Sequence, residues 1–117
     1  MRTQDHPPGT EMQRCLKHCQ RCHSTCLEMA ATYCLEMGGK HADPAHLRLM
    51  LDCAQICQTS ADFMLRDSDL HAPVCLTCAV ICECCAESCE EVGGLEYCAQ
   101  ACYTCAESCR AVGHAVA

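Results

Sequence analysis

The chain has 117 residues, of which 17 are cysteine, three Tyr, one Phe and none Trp, and its formal charge is −7 with His neutral. That length is one ordinary domain, the scarcity of bulky residues excludes a conventional core, and the acidic balance excludes a nucleic-acid partner, whose phosphates demand a basic face. Uninterrupted apolar runs are only a few residues long, which excludes a membrane span, and seventeen thiols cannot pair off within one chain.

Residues 1–9, with Asp5, Pro7, Pro8 and Gly9, read as a flexible lead-in. The opening MRTQDHPPGTEMQRC has no apolar core, so it is not a secretory signal. The expected compartment is the reducing cytoplasm, where cysteines serve as thiols for metal or redox chemistry. Thr10 is the expected cap of a first helix running to about Met37 and stopped by Gly38-Gly39. Asp43-Pro44 is a helix-start signature for a second helix reaching about Leu65. Arg66-Asp67-Ser68-Asp69 breaks it, and a third helix begins between Ser68 and Pro73 and runs to Val92, before Gly93-Gly94. The fourth spans roughly Leu95 to Val112, with Gly113 as its stop. Long helices with short connections and no strand-like alternation predict an all-α fold, an antiparallel four-helix bundle forming a single domain over 10–113.

The cysteines follow these helices. The first carries Cys15, Cys19, Cys22 and Cys26; the second Cys53 and Cys57; the third Cys75, Cys78, Cys82, Cys85 and Cys89; the fourth Cys98, Cys102, Cys105 and Cys109. At ~100° per residue each set falls on one face, where a bundle normally buries Leu, Ile and Val. Two cysteines break the rule. Cys34 lies about 100° from the first stripe and Cys84 opposite the third, so a ligand role is doubtful for both. The predicted interior is a cysteine-lined core, a column of sulfur from end to end.

Cysteine can act simply as a small hydrophobe, but larger aliphatics would fill fifteen facing core positions better. A disulfide framework is opposed by the odd count, and neighbours at i, i+4 on one helix suit a disulfide's ~90° dihedral poorly. Metal binding fits. Residues three or four apart on a helix have Cβ atoms about 5–6 Å apart, so each CxxxC can hold a soft ion between two sulfurs. The pairs are Cys15/Cys19, Cys22/Cys26, Cys53/Cys57, Cys78/Cys82, Cys85/Cys89, Cys98/Cys102 and Cys105/Cys109, with CxxC pairs such as Cys19/Cys22 and Cys102/Cys105 able to bridge successive ions.

Thiolate softness selects Cu(I), zinc or iron–sulfur chemistry. The run C-x₂-C-x₂-C-x₃-C-P of bacterial clusters is absent. About four tetrahedral Zn²⁺ would leave much of the thiolate charge uncompensated inside the bundle. Cu(I) tolerates two ligands and brings one charge per ion, so roughly one ion per thiolate neutralises the column, on the order of a dozen or more ions per chain.

These residues resemble the bacterial copper storage proteins. The likeness runs from about Glu11 to Val112 and rests on the CxxxC series, the matching stripes of the first and fourth helices, and the segment CLTCAVICECCAESC. Without an export signal, the chain is similar to the cytosolic branch. The resemblance implies Cu(I) held by the fifteen stripe cysteines and a homotetramer of bundles. The sequence offers no paired acid/base constellation, phosphate loop or nucleophile motif, so no catalysis is expected, and a copper donor or acceptor is the expected partner. The resemblance also implies His or Met donors at one bundle mouth. His46, within about 20° of the Cys53 stripe, and Met37 are the candidates for that mouth, with Met50 nearby and Met64 at the opposite end. His18 and His23 are expected in solvated or inter-helix positions, and His6, His41, His71 and His114 at the surface. Glu83, Glu87, Glu90 and Glu91 read as a solvated outer face. Leu16, Leu27 and Cys34 form a flanking apolar strip suited to packing or to a subunit interface. Two alternatives stay open: a zinc or general soft-metal buffer, and a thiol redox protein, for which Cys84 is the candidate reactive thiol.

Overall fold

Helix α1, Thr10–Met29, continues through a π turn at Ala30–Cys34 into the short α2, Leu35–Met37, so the first rod is a single interrupted helix. A 3₁₀ turn at Gly39–Ala42 leads to α3, Pro44–Leu65, followed by α4, His71–Val92, and α5, Glu96–His114. This computed structural model describes residues 9–115; the lead-in expected over 1–9 lies, apart from Gly9, outside the described residues. Successive rods run antiparallel in a closed ring, α1 packing on α3 and α5, and α4 on the same two. The bundle measures 51 × 21 × 19 Å.

Local chemistry explains the breaks. The Asp43 side chain accepts from the amides of Ala45 and His46, at 3.1 and 3.4 Å, with Pro44 in the first turn of α3; such a cap contributes about 1 kcal/mol. At the far end of α3 the amides of Asp67 and Ser68 donate to Met64 and Phe63 carbonyls, and Asp67 adopts φ 55° where glycine is usual. Two expectations fail. Gly9, not Thr10, occupies the cap of α1, and it has no side chain to offer the free amides. Gly113 does not stop α5, which runs on to His114. Its missing side chain serves packing instead: a Cβ there would lie 2.6 Å from the Leu76 side chain and 3.1 Å from the Ala72 carbonyl, so α4 and α5 close on each other at that point.

The π turn decides which side chains at the end of the first rod face inward. Thr32 Oγ1 donates to the Glu28 carbonyl at 2.7 Å, a side-chain bond that competes with the helical ladder. An i→i+5 turn takes in one extra residue, which sets the following chain back by about the ~100° that separates α-helical neighbours. Cys34, off the stripe by ideal α geometry, is thereby carried onto it and is fully buried, while Met37 is carried off it and is 54% exposed. The flanking strip of Leu16, Leu27 and Cys34 therefore does not exist as a unit: Leu27 is exposed, Leu16 packs at the core margin and Cys34 is inside.

Sixteen cysteines are buried, and only Cys84 is exposed. Behind the sulfurs sit alanines such as Ala54, Ala61, Ala79, Ala86 and Ala106, also buried, which let the rods approach closely. One described helix, α4, is long and apolar enough by composition to cross a membrane, with a mean hydropathy of 1.5 over its best stretch. The cysteines that raise that figure, all but Cys84, face the interior, against α3 and α5.

Candidate metal centre

Each rod contributes one inward line. On α1, α4 and α5 it is almost wholly cysteine. On α3 it reads His46, Met50, Cys53, Cys57, Ser60 and Met64, all buried, at alternating spacings of four and three. The sixteen buried thiols are free, and their shortest contacts, Cys26–Cys102 and Cys57–Cys82, are 3.5 Å, far outside the ~2.05 Å of a disulfide.

The sulfurs converge in overlapping groups. Cys19, Cys78, Cys105 and Cys109 form one; Cys22, Cys57, Cys82 and Cys105 a second; Cys22, Cys26, Cys53 and Cys102 a third; Cys15, Cys75 and Cys109 a fourth, with sulfurs in each group within 4.8 Å of one another. Cys22, Cys105 and Cys109 each belong to two groups, so a thiolate at these positions can bridge neighbouring ions. Cys85, Cys89 and Cys98 carry the column upward from there. The stripe cysteines are thus brought together as the spacing predicts.

At the upper end the donor set changes. Cys34 Sγ lies 3.8 Å from Met50 Sδ and 4.0 Å from His46 Nε2, while His46 Nδ1 is 2.7 Å from Ser88 Oγ. Thiol, thioether and imidazole therefore meet at one point. Met37, expected beside His46, is instead swung outward by the π turn and exposed, and Cys34 and Met50 stand beside His46 in its place. Met50 was visible in the sequence as the next inward position after His46; Ser88, on a different helix, carried no signal. At the lower end the Cys15, Cys75 and Cys109 group is followed by Met64 and Val112, both buried. Ser60 Oγ, fully buried on the inward line, finds no hydrogen-bond partner among the described residues.

Ionisation of the thiols is uneven. Hydrogen bonds with Cys102 and Cys26 hold the Cys85 thiol down to about 6. Burial pushes the Cys34 thiol up, and nearby Cys98 and Cys85 add to the effect. Burial, together with the nearby charge of His41, lowers the His46 pKa, so that residue is a neutral imidazole, the form that ligates metal. A cation entering the column must displace thiol protons, and its charge then repays the ionised sulfurs.

The remaining residues are peripheral. His18 Nδ1 bonds Ser108 Oγ and His23 Nδ1 donates to the Ala54 carbonyl, both between helices. His41 is half-buried rather than superficial, its ring 5.6 Å from Tyr33 and edge-on to it. Glu83 pairs with Arg110 and Glu90 accepts from Tyr103 on the outside of α4 and α5.

Comparison with known proteins agrees with this arrangement. A family model described as copper storage protein matches residues 9–114. A structure of Nmul_A1745 from Nitrosospira multiformis superposes with a TM-score of 0.87 at 51% identity, covering 88% of this chain and 94% of that one. The Cu(I)-bound copper storage protein BsCsp3 gives 0.82 at 34% identity, covering 89% and 99%, and the apo form of the Bacillus subtilis protein gives 0.77 at 34%, covering 86% and 97%. A Bacillus subtilis sequence named as an uncharacterized cysteine-rich protein, YhjQ, is 35% identical over 77 residues, 66% of this chain and 70% of its own length. With its buried column of thiols and a family match over nearly its whole length, the chain belongs to the copper storage protein family.

Proposed function

We propose that the chain is a high-capacity Cu(I) store, binding without turnover, in which the fifteen stripe cysteines and Cys34 supply the ligands and His46 and Met50 complete the upper end. The observation that carries this reading is the sharing of Cys22, Cys105 and Cys109 between adjacent groups of sulfurs. Shared thiolates suit a chain of closely spaced monovalent ions; isolated tetrahedral divalent sites would keep four thiolates each and leave a net negative charge inside. The Cu(I)-bound relative gives further support. Cytoplasmic residence goes with so many free thiols, which persist where glutathione keeps them reduced. The homotetramer implied by the resemblance goes with the apolar surface left at Leu27, Leu35 and Tyr97. Exposed Cys84 is excluded from the ligand set, and a copper donor or acceptor protein is the partner this role requires.

An anaerobic Cu(I) titration of reduced protein against a chromophoric Cu(I) chelator tests the reading. The chelator stays colourless until on the order of a dozen equivalents have been added. Colour after one or two equivalents overturns storage and favours zinc, whose saturation at about four ions the same protein would then show.

A further inference from the structure

The two upper connections approach each other: His41 Nε2, in the 3₁₀ turn, lies 3.8 Å from where a Cβ on Gly94 would stand. Leu95, at the head of α5, is 2% exposed and packed into the core. Cys34, Cys89 and Cys98, the uppermost thiols, are fully buried, so the axial end presents no thiol to solvent. Beside it, between α3 and α4, a cleft of about 740 Å³ is lined by Asp43, Ala45 and His46 on one side and Cys84, Ser88 and Glu91 on the other. His46 belongs to the cleft and to the column at once. It is 4% exposed, its Nδ1 is 2.7 Å from Ser88 Oγ, and its Nε2 is 4.0 Å from Cys34 Sγ, the last thiol of the column.

We propose that Cu(I) reaches the column sideways, through the α3–α4 cleft, with His46 as the ligand that passes it inward and Ser88 as the residue that positions His46. This rests on the storage reading and adds a route to it. Ser88 Oγ accepts the Nδ1 proton, which leaves the Nε2 lone pair facing Cys34; fixing a ligating imidazole through its second nitrogen is a general device of metal sites. Copper stays in the +1 state throughout. A Cu–N bond to Nε2 forms as the ion leaves its carrier, then a Cu–S bond to Cys34 forms as the Cu–N bond breaks, and the Cys34 proton leaves to water in the cleft. Asp43, Glu87 and Glu91 give the cleft wall an acidic cast suited to a cation, against the single Lys40.

Cys84 makes the route testable, because it is the exposed thiol in a chain whose other cysteines are buried. Wild type and Cys84→Ser, both treated with a bulky maleimide, are mixed anaerobically with Cu(I) as its acetonitrile complex. Uptake is followed by the ultraviolet Cu(I)–thiolate absorbance. The labelled wild type fills several-fold more slowly than treated Cys84→Ser but reaches the same number of equivalents; equal rates overturn the lateral route. Ala45→Trp, which plugs the cleft from α3 without touching a thiol, slows filling in the same way, and a rate equal to wild type overturns the route independently. Ser88→Ala slows uptake about tenfold at unchanged capacity, and Ser88→Thr restores it; unchanged uptake in Ser88→Ala removes Ser88 from the mechanism. Capacity reports on storage and rate on the route, so the two ideas fail separately.

Discussion

The two ends of the column are built on different terms. The upper end gathers three kinds of donor, the Cys34 thiol, the Met50 thioether and the His46 imidazole, beside a cleft open to solvent. The lower end keeps a plain group of three thiols, Cys15, Cys75 and Cys109, closed by Met64 and Val112. The same helix causes both departures from all-cysteine packing, since the inward line of α3 has cysteine only in its middle. Mixed, partly neutral donors hold a soft cation less firmly than a ring of thiolates. The comparison teaches that a store needs a weak end as well as a strong interior: ions must be released from a carrier at one place and retained at another.

Three measurements sharpen this contrast. The largest effect belongs to the lower end, where Gly113→Ala drives a methyl into Leu76 and the Ala72 carbonyl. It costs the apo protein about 1–3 kcal/mol, read as a lower urea midpoint; an unchanged midpoint means that α4 and α5 part there without cost, and the lower end is not tightly closed. Next, Ser60→Ala removes a buried hydroxyl that has no partner among the described residues. Apo stability should rise by about 1 kcal/mol; a fall would mean that Ser60 makes a bond that matters without metal. The smallest effect is at the upper end. The His46 pKa is depressed, so its contribution is fully present above the unfolded value near 6.5 and is lost as pH falls toward the folded one. Apo wild type therefore loses more stability than His46→Asn between about pH 7 and pH 5 in thermal unfolding. Identical slopes would show that His46 is not buried as a neutral group, and the upper end would lose its imidazole.

Much of this was legible in the chain itself. Four faces of cysteine at helical spacing lead directly to a sulfur-lined bundle, because no other pairing of those faces removes them from water. Asp43-Pro44 and the two Gly-Gly pairs marked real breaks. The departures at Cys34 and Met37 share a cause: the sequence reading treats the helix as ideal. A uniform ~100° per residue puts Cys34 off the stripe and Met37 on it, and a π turn leaves no fixed signature in sequence. Gly113 looked like a stop because glycine usually is one; that it sits where two helices touch is a fact of tertiary packing. Ser88 was beyond reach for the same reason, since its tie to His46 crosses from one rod to another.

The π turn has a consequence on an evolutionary scale. Without the π turn, an unbroken α-helix of the same length would turn Cys34 outward and bring Met37 in, exchanging a thiol for a thioether at the threshold of the column while every other ligand stays in place. Donor chemistry at that threshold is thus set by helix register as well as by residue identity. A lineage can retune that threshold by gaining or losing the π turn, without altering any ligand in the column below.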